Sequence, residues 1–335
     1  NMAVTRYEED DEEDIRTSSL SSRTLKLTGH SGSVYGLTYC PKGELMVSCS
    51  FDKTCLLWSH KKYENLNVLS GHKNAVLDAK FLHSTAVVTA SADTTCAIYD
   101  VNTGQRLQRG LPHDGIVNAL STSPSDINLW TTVSDDGHAR LWDIRVKGRR
   151  HGPVLTLSPN DDDKNNVPIT AVAYSAQNHM IYTGGIDNHI HVWDIRSDTN
   201  NHQVMTMMGH EDTVSCLALH PQHENQLLSH SMDGTLRTWD VSPYSQGKKR
   251  QLKTFHGAKV NADKGLLKCS WKSDGTMITG GSSDKVVHVW DELTTQSIYS
   301  LPGHTGCVNS IIFHPHENII ASASSDKSIL VGELG

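Results

Sequence analysis

Seven times along this 335-residue chain an aspartate stands six residues ahead of an aromatic, or of the residue that takes its place. The pairs are Asp52 and Trp58, Asp93 and Tyr99, Asp136 and Trp142, Asp187 and Trp193, Asp233 and Trp239, Asp284 and Trp290, and Asp326 and Gly332. Successive aspartates lie 41, 43, 51, 46, 51 and 42 residues apart. Most of these steps match the ~40–45-residue period of a four-stranded propeller blade. A unit of that length cannot bury its apolar face alone, so such units must stack on one another.

A second register runs in phase with the first. Gly-His or a close variant opens the units at His30, His72, His113 (after Pro112), His210 and His304. Four residues later come Val34, Val76, Val117, Val214 and Val308, with Ile169 and Leu266 in the equivalent place of the two remaining units. The short apolar runs are punctuated by Pro-Lys-Gly, Ser-Asp-Gly and Asp-Gly, which read as strands joined by hairpin turns.

The residue types explain why the unit would fold. An aspartate in a tight turn can accept a hydrogen bond from the Gly-His imidazole, and that imidazole can reach a Ser or Thr four residues before the aspartate. The hydroxyl can then take the indole N–H. Composition gives complete tetrads in units one (His30, Ser48, Asp52, Trp58), three (His113, Thr132, Asp136, Trp142) and five (His210, Ser229, Asp233, Trp239). A buried chain of this kind is favourable only when every member is satisfied, and it then specifies one packing.

This pattern resembles the WD40-repeat family over residues 23–335. The resemblance implies an all-β fold, a seven-bladed β-propeller closed by the N-terminal strand Arg23 to Leu27, which would complete blade seven. Residues 1–22 are expected to form an acidic, disordered tail.

Charge and composition narrow the function. The run Glu8 to Asp14 holds seven acids; without it the chain carries 30 acidic against 30 basic residues. A near-neutral body has no global field for coating duplex DNA. No apolar stretch of ~18 residues is present, and acids stand where a signal peptide needs basic and then apolar residues. Asn1 ahead of Met2 is set aside. Seven cysteines, odd in number and without a CxxC, argue for a reducing intracellular compartment and against a disulfide framework or cysteine zinc site.

No catalytic constellation is evident. The Asp-His-Ser sets recur as repeat architecture, and a serine triad also needs an exposed nucleophile and an oxyanion hole. His314-Pro315-His316 and His220-Pro221-Gln222-His223 fall in turns without cysteine or carboxylate partners for zinc. No catalytic, metal or cofactor residues are assigned. The basic clusters Arg145, Lys147, Arg149, Arg150 and Lys248, Lys249, Arg250 lie in loops without interleaved aromatics.

A non-catalytic propeller works as a rigid docking disc. Strict strand alternation from Val34 and its counterparts sends Tyr35, Asn118 and Asn309 to the channel mouth, with Phe51, Asp135, Ile186 and Met232 beside them ahead of the turn aspartates. Exposed Tyr, Phe, Ile and Met there fit a protein partner.

Several segments go further. Thr183-Gly184-Gly185-Ile186-Asp187-Asn188, Arg237-Thr238-Trp239-Asp240-Val241, Leu266-Leu267-Lys268-Cys269-Ser270-Trp271, Phe313-His314-Pro315 and the ending Gly332-Glu333 are similar to the family of 40-kilodalton WD-repeat subunits of the U5 small nuclear ribonucleoprotein. Tyr99, Pro112, the 160–166 loop and the acidic tail depart from it. The resemblance implies a nuclear, non-enzymatic spliceosomal scaffold that docks on the large U5 scaffold protein and supports tri-snRNP assembly, splicing and mRNA processing. It would be one monomeric subunit of a larger complex, with U5 RNA met indirectly and no small-molecule substrate or membrane. An alternative comes from Trp142-Asp143-Ile144-Arg145 and Trp193-Asp194-Ile195-Arg196, whose residues Asp143, Arg145, Asp194 and Arg196 resemble the double box of cullin-4 ubiquitin-ligase substrate receptors. A signalling scaffold of the G-protein-β kind is a third, more general reading.

Overall fold

The computed structural model describes residues 3–7, 18, 20, 22–146, 152–159, 166–175, 179–197, 202–243, 249–261 and 265–335. Every named element among them is a β-strand. The strands pair antiparallel into seven sheets, six of four strands and one of five. From the centre outward, blade 1 runs Val34–Tyr39, Leu45–Ser50, Cys55–Ser59 and Asn65–Leu69. The other inner strands are Val76–His83, Val117–Thr122, Ile169–Ser175, Val214–Leu219, Cys269–Trp271 and Val308–Phe313. Each inner strand neighbours those of the blades before and after it, which closes the ring around a central channel.

Thr24–Thr28 supplies the outer strand of blade 7, pairing with Ser328–Glu333 from Thr24 opposite Gly332 to Thr28 opposite Ser328. Ring closure through the chain's own start thereby ties the first blade to the last. Ala3–Tyr7 then adds a fifth strand, with Ala3 opposite Thr28 and Tyr7 opposite Thr24. This departs from the expectation that all of residues 1–22 stand apart from the sheets. The physical reason is the edge itself, whose unpaired N–H and C=O groups accept a short β-prone segment. The acidic run 8–14 lies outside the described residues, as does most of the 160–166 loop.

The core is a ring of seven hydrophobic clusters, one between each pair of adjacent blades. Trp58 packs with Leu25, Ile329 and Val331 of blade 7, and Tyr99 with Val47 and Leu57 of blade 1. Trp142, Trp193, Trp239 and Trp290 likewise pack toward the preceding blade. All seven cysteines are free thiols.

Two backbone features set the site geometry. The residue after each turn aspartate has a left-handed φ: Lys53 (71°), Thr94 (68°), Gly137 (77°), Asn188 (67°), Gly234 (78°), Lys285 (72°) and Lys327 (71°). Gly and Asn accept this angle readily, whereas a Lys or Thr there costs about 1–2 kcal/mol. The inner strands of six blades also slip register immediately after the apolar residue that opens them, between Val34 and Gly36, Val76 and Asp78, Val117 and Ala119, Ile169 and Ala171, Val214 and Cys216, and Val308 and Ser310.

Candidate functional site

The turn aspartates and the loop histidines share one end of the barrel-shaped ring, because hydrogen bonds join them. In blade 1, His30 Nδ1 is 2.8 Å from Asp52, His30 Nε2 is 2.7 Å from Ser48 Oγ, and Trp58 Nε1 donates to Ser48 at 2.9 Å. His113, Asp136, Thr132 and Trp142 repeat this at 2.9, 2.7 and 2.7 Å. His210, Asp233, Ser229 and Trp239 repeat it at 2.8, 2.6 and 2.8 Å. Burial alone would raise the five carboxyls of Asp52, Asp93, Asp136, Asp233 and Asp326. Their imidazole, amide and, at four of them, hydroxyl donors outweigh it and hold them well below the ordinary carboxylate value.

Incomplete units solve the same problem differently. In blade 2, His72 joins Asp93 and Thr89, but Tyr99 replaces the indole and its hydroxyl finds no partner. Blade 7 joins His304 to Asp326 and Ser322, with Gly332 in place of the aromatic. Blades 4 and 6 lack the loop histidine, and a histidine four residues after the aspartate supplies the donor instead. His191 Nε2 meets Asp187 at 2.7 Å, and His288 Nε2 meets Asp284 at 2.9 Å. That signal, a histidine at the fourth place after the turn aspartate, is present in the sequence at His191 and His288. Arg140 and Arg237 occupy the same place in blades 3 and 5, 3.2 and 3.6 Å from their aspartates. Blade 6 also lacks the hydroxyl: a Cβ on Gly280 would come within 2.8 Å of Leu236 Cδ2 and 3.1 Å of His230 Cδ2. Trp290 therefore donates to the His256 carbonyl at 3.0 Å.

Alternation misplaces two of the expected rim residues. Asn118 and Asn309 are each 6% exposed. Asn118 donates to Asp135 at 2.7 Å and to the Ile169 carbonyl of blade 4 at 2.9 Å; Asn309 donates to the Val34 carbonyl of blade 1 at 2.8 Å. Thr170 and Ser215 reach the carbonyls of Val214 and Leu267 in the same way. The register slip is the cause, since a bulge re-aims the residue at the break. These side chains stitch neighbouring blades. Tyr35 is half-buried at the channel, while Phe51 (58% exposed) and Ile186 (49%) stand exposed on the rim with Asp135, which accepts the Asn118 amide, and Met232 is half-buried.

Past the bulge, alternation places Gly36, Asp78, Ala119, Ala171, Cys216 and Ser310 on the channel wall, and in blade 6, whose inner strand has no slip, Lys268 stands at the channel just ahead of Cys269. The channel cavity is about 530 Å³. Lys268 of blade 6 reaches across blade 1 to the carboxylate of Asp78 in blade 2 and donates to the Leu77 carbonyl at 3.0 Å. A Cβ on Gly36 would lie 2.7 Å from that ammonium. Asp78 Oδ2 also accepts the Leu120 amide at 3.1 Å. Burial would raise the Asp78 carboxyl, but the Lys268 charge overrides it and lowers its pKa.

On the opposite end, Arg145 pairs with both oxygens of Asp143 and with Asp126 at 3.1 Å. Arg196 turns instead to His179, its amide capping Asp194 at 2.9 Å. Lys147, Arg149, Arg150 and Lys248 lie outside the described residues. His60, His314 and Glu317 bring three potential ligand atoms within 4.8 Å of one another, so the His314 turn does have a carboxylate beside it, contrary to expectation. Their hydrogen bonds do not suit a metal. His314 Nδ1 accepts the Glu317 and His316 amides at 2.9 and 3.2 Å, which leaves its proton on Nε2, facing the Gly43 carbonyl at 3.1 Å. Coordination through Nε2 would demand a proton on Nδ1, against those two amides.

The sequence matches the WD domain, G-beta repeat family at residues 21–59, 249–291 and 295–331, and the nucleolar protein 10-like N-terminal domain at residues 75–241. It is 38% identical over 321 residues to the U5 small nuclear ribonucleoprotein 40 kDa protein of Dictyostelium discoideum, covering 95% of this chain and 86% of that one. Identity to the human protein of the same name is 40% with the same coverage. Pre-mRNA-splicing factor cwf17 of Schizosaccharomyces pombe is 37% identical over 95% of this chain and 90% of its own.

Proposed function

The chain belongs to the WD-repeat family of the U5 small nuclear ribonucleoprotein 40 kDa proteins, and from that membership we propose that it is a non-catalytic interaction scaffold of the U5 particle, acting in the nucleus. It docks on the large central scaffold protein of that particle and supports tri-snRNP assembly and pre-mRNA splicing. One observation carries the docking site. Across blades 3 to 5 the histidine end of the ring presents Ile116 and Ile186, 37% and 49% exposed, together with half-buried Met232 and the exposed acidic groups Asp114, Asp135 and Glu211. Exposed apolar residues rimmed by charge on a hydrogen-bonded, pre-organised surface suit protein recognition. The Trp-Asp-x-Arg boxes lend no specific support to a ligase receptor, because Arg145 is already engaged by two carboxylates of its own chain.

The test is a tagged pull-down from nuclear extract, with and without nuclease, read by mass spectrometry. The large scaffold protein is expected to survive nuclease with the wild-type chain and to be lost with Ile116→Asp/Ile186→Asp. Recovery of a cullin-4 adaptor without splicing proteins, abolished by Asp143→Ala with Arg145→Ala, would overturn the proposal in favour of the receptor.

A further inference from the structure

The other half of the same end carries a different chemistry. Five lysines stand exposed there on four consecutive blades: Lys259 and Lys285 in blade 6, Lys327 in blade 7, Lys53 in blade 1 and Lys73 in blade 2. Backbone hydrogen bonds put loop and turn together. Ser283 N donates to the Lys259 carbonyl at 2.8 Å, and the Lys73 amide donates to Asp93 at 2.8 Å. Apart from Asp78, which is buried in the channel and paired with Lys268, the carboxylates at this end of these blades among the described residues are Asp284, Asp326, Asp52 and Asp93, each turned onto a histidine. None of the five ammonium groups makes an ion pair among the described residues. Phe51, 58% exposed, stands two residues from Lys53 near the middle of this arc.

We propose that this lysine arc with Phe51 is a binding site for single-stranded RNA, the ammonium groups meeting phosphates and the phenyl ring stacking an unpaired base. A basic track with an aromatic platform is the recurrent solution for single strands, because every base has a π-face and a duplex hides it. An acidic peptide would satisfy the lysines but would give Phe51 nothing to stack. The near-neutral composition conceals the arc, since the exposed acids of this end, Asp114, Asp135 and Glu211, stand on blades 3 and 5. The site goes beyond the docking reading and is tested on the purified chain, without a protein partner, so either can fail alone.

The experiment is fluorescence anisotropy with a uridine-rich 15-nucleotide RNA across a salt series, beside a polyglutamate peptide. Five phosphate contacts predict a slope of about −3.5 in log K against log salt. Phe51→Ala should weaken RNA binding about 10-fold and leave that slope unchanged. A variant carrying Lys53→Asn, Lys285→Asn and Lys327→Asn, which keep a residue tolerant of left-handed φ, with Lys73→Gln and Lys259→Gln, should lose binding at an unchanged melting temperature. Absence of saturable RNA binding at low salt, or its full retention by the five-lysine variant, overturns the site. Polyglutamate binding as tight as RNA, indifferent to Phe51→Ala, overturns it in favour of an acidic protein segment.

Discussion

Ser229→Ala in blade 5 tests whether the buried hydrogen-bond chain, as distinct from apolar packing, holds a blade together. Ser229 is 0% exposed and Trp239 1%. Burial lowers the His210 pKa, so at neutral pH its Nδ1 proton goes to Asp233 and its Nε2 accepts. The chain then runs from the Trp239 N–H to the Ser229 hydroxyl, and from the Ser229 O–H to His210 Nε2, at 2.8 and 2.6 Å. Removing the hydroxyl leaves a buried N–H without an acceptor and a ring nitrogen without its donor. An orphaned buried group costs ~1–3 kcal/mol, and the unpaired ring lone pair less, so ~2–3 kcal/mol in all is expected. With an unfolding entropy of about 0.7 kcal/mol/K for a chain of this length, the melting temperature should fall by roughly 3–4 °C. The control is Thr238→Val in the adjacent strand. Thr238 is equally buried, but its hydroxyl has no partner, so an isosteric loss should be neutral or stabilising. Differential scanning calorimetry of both variants decides the matter. Equal destabilisation by the two, or a change below ~0.5 kcal/mol for Ser229→Ala, would refute the reasoning, since ordinary surface substitutions give as much.

Three further outcomes follow from the same geometry. Lys268→Met should destabilise by ~3–5 kcal/mol by leaving the Asp78 carboxylate buried and unpaired, and Lys268→Met/Asp78→Asn should recover much of that in urea unfolding. Gly280→Ser, which would restore a hydroxyl to blade 6, should destabilise by ~1–3 kcal/mol through overpacking against Leu236 and His230, measured by thermal melting. Burial pushes His230 down to about 4, below the ~6.5 of an unfolded histidine, so its contribution is fully present above pH 6.5 and is lost as pH falls through 4, about 3 kcal/mol in total. His230→Asn keeps a polar partner for Ser215 and should flatten that part of the stability–pH curve.

Much of the architecture is local chemistry, which is why it could be read from residue order. The spacing from Asp52 to Trp58 and its six counterparts specifies a turn between two strands of fixed length, and seven such units can bury their faces only by stacking in a closed ring. The tetrads of blades 1, 3 and 5 were visible because each member sits at a fixed offset within its own unit. What lay beyond reach involves either a backbone irregularity or a partner from another blade. Alternation assigned Asn118 and Asn309 to the rim, but a bulge, which leaves no composition signal, turned them onto carbonyls of the next blade. Lys268 and Asp78 are 190 residues apart, and only the circular arrangement sets them facing across the same narrow channel. Gly280 leaves blade 6 without its hydroxyl because Leu236 and His230 of blade 5 already fill the space. The five lysines came from separate loops of an otherwise balanced sequence, and ring closure alone gathered them on one arc. Sequence by itself determined the unit and the number of its copies, because those are set by short-range hydrogen bonding and strand length. Tertiary structure decided what each face presents, because that depends on which distant units the closed ring makes neighbours.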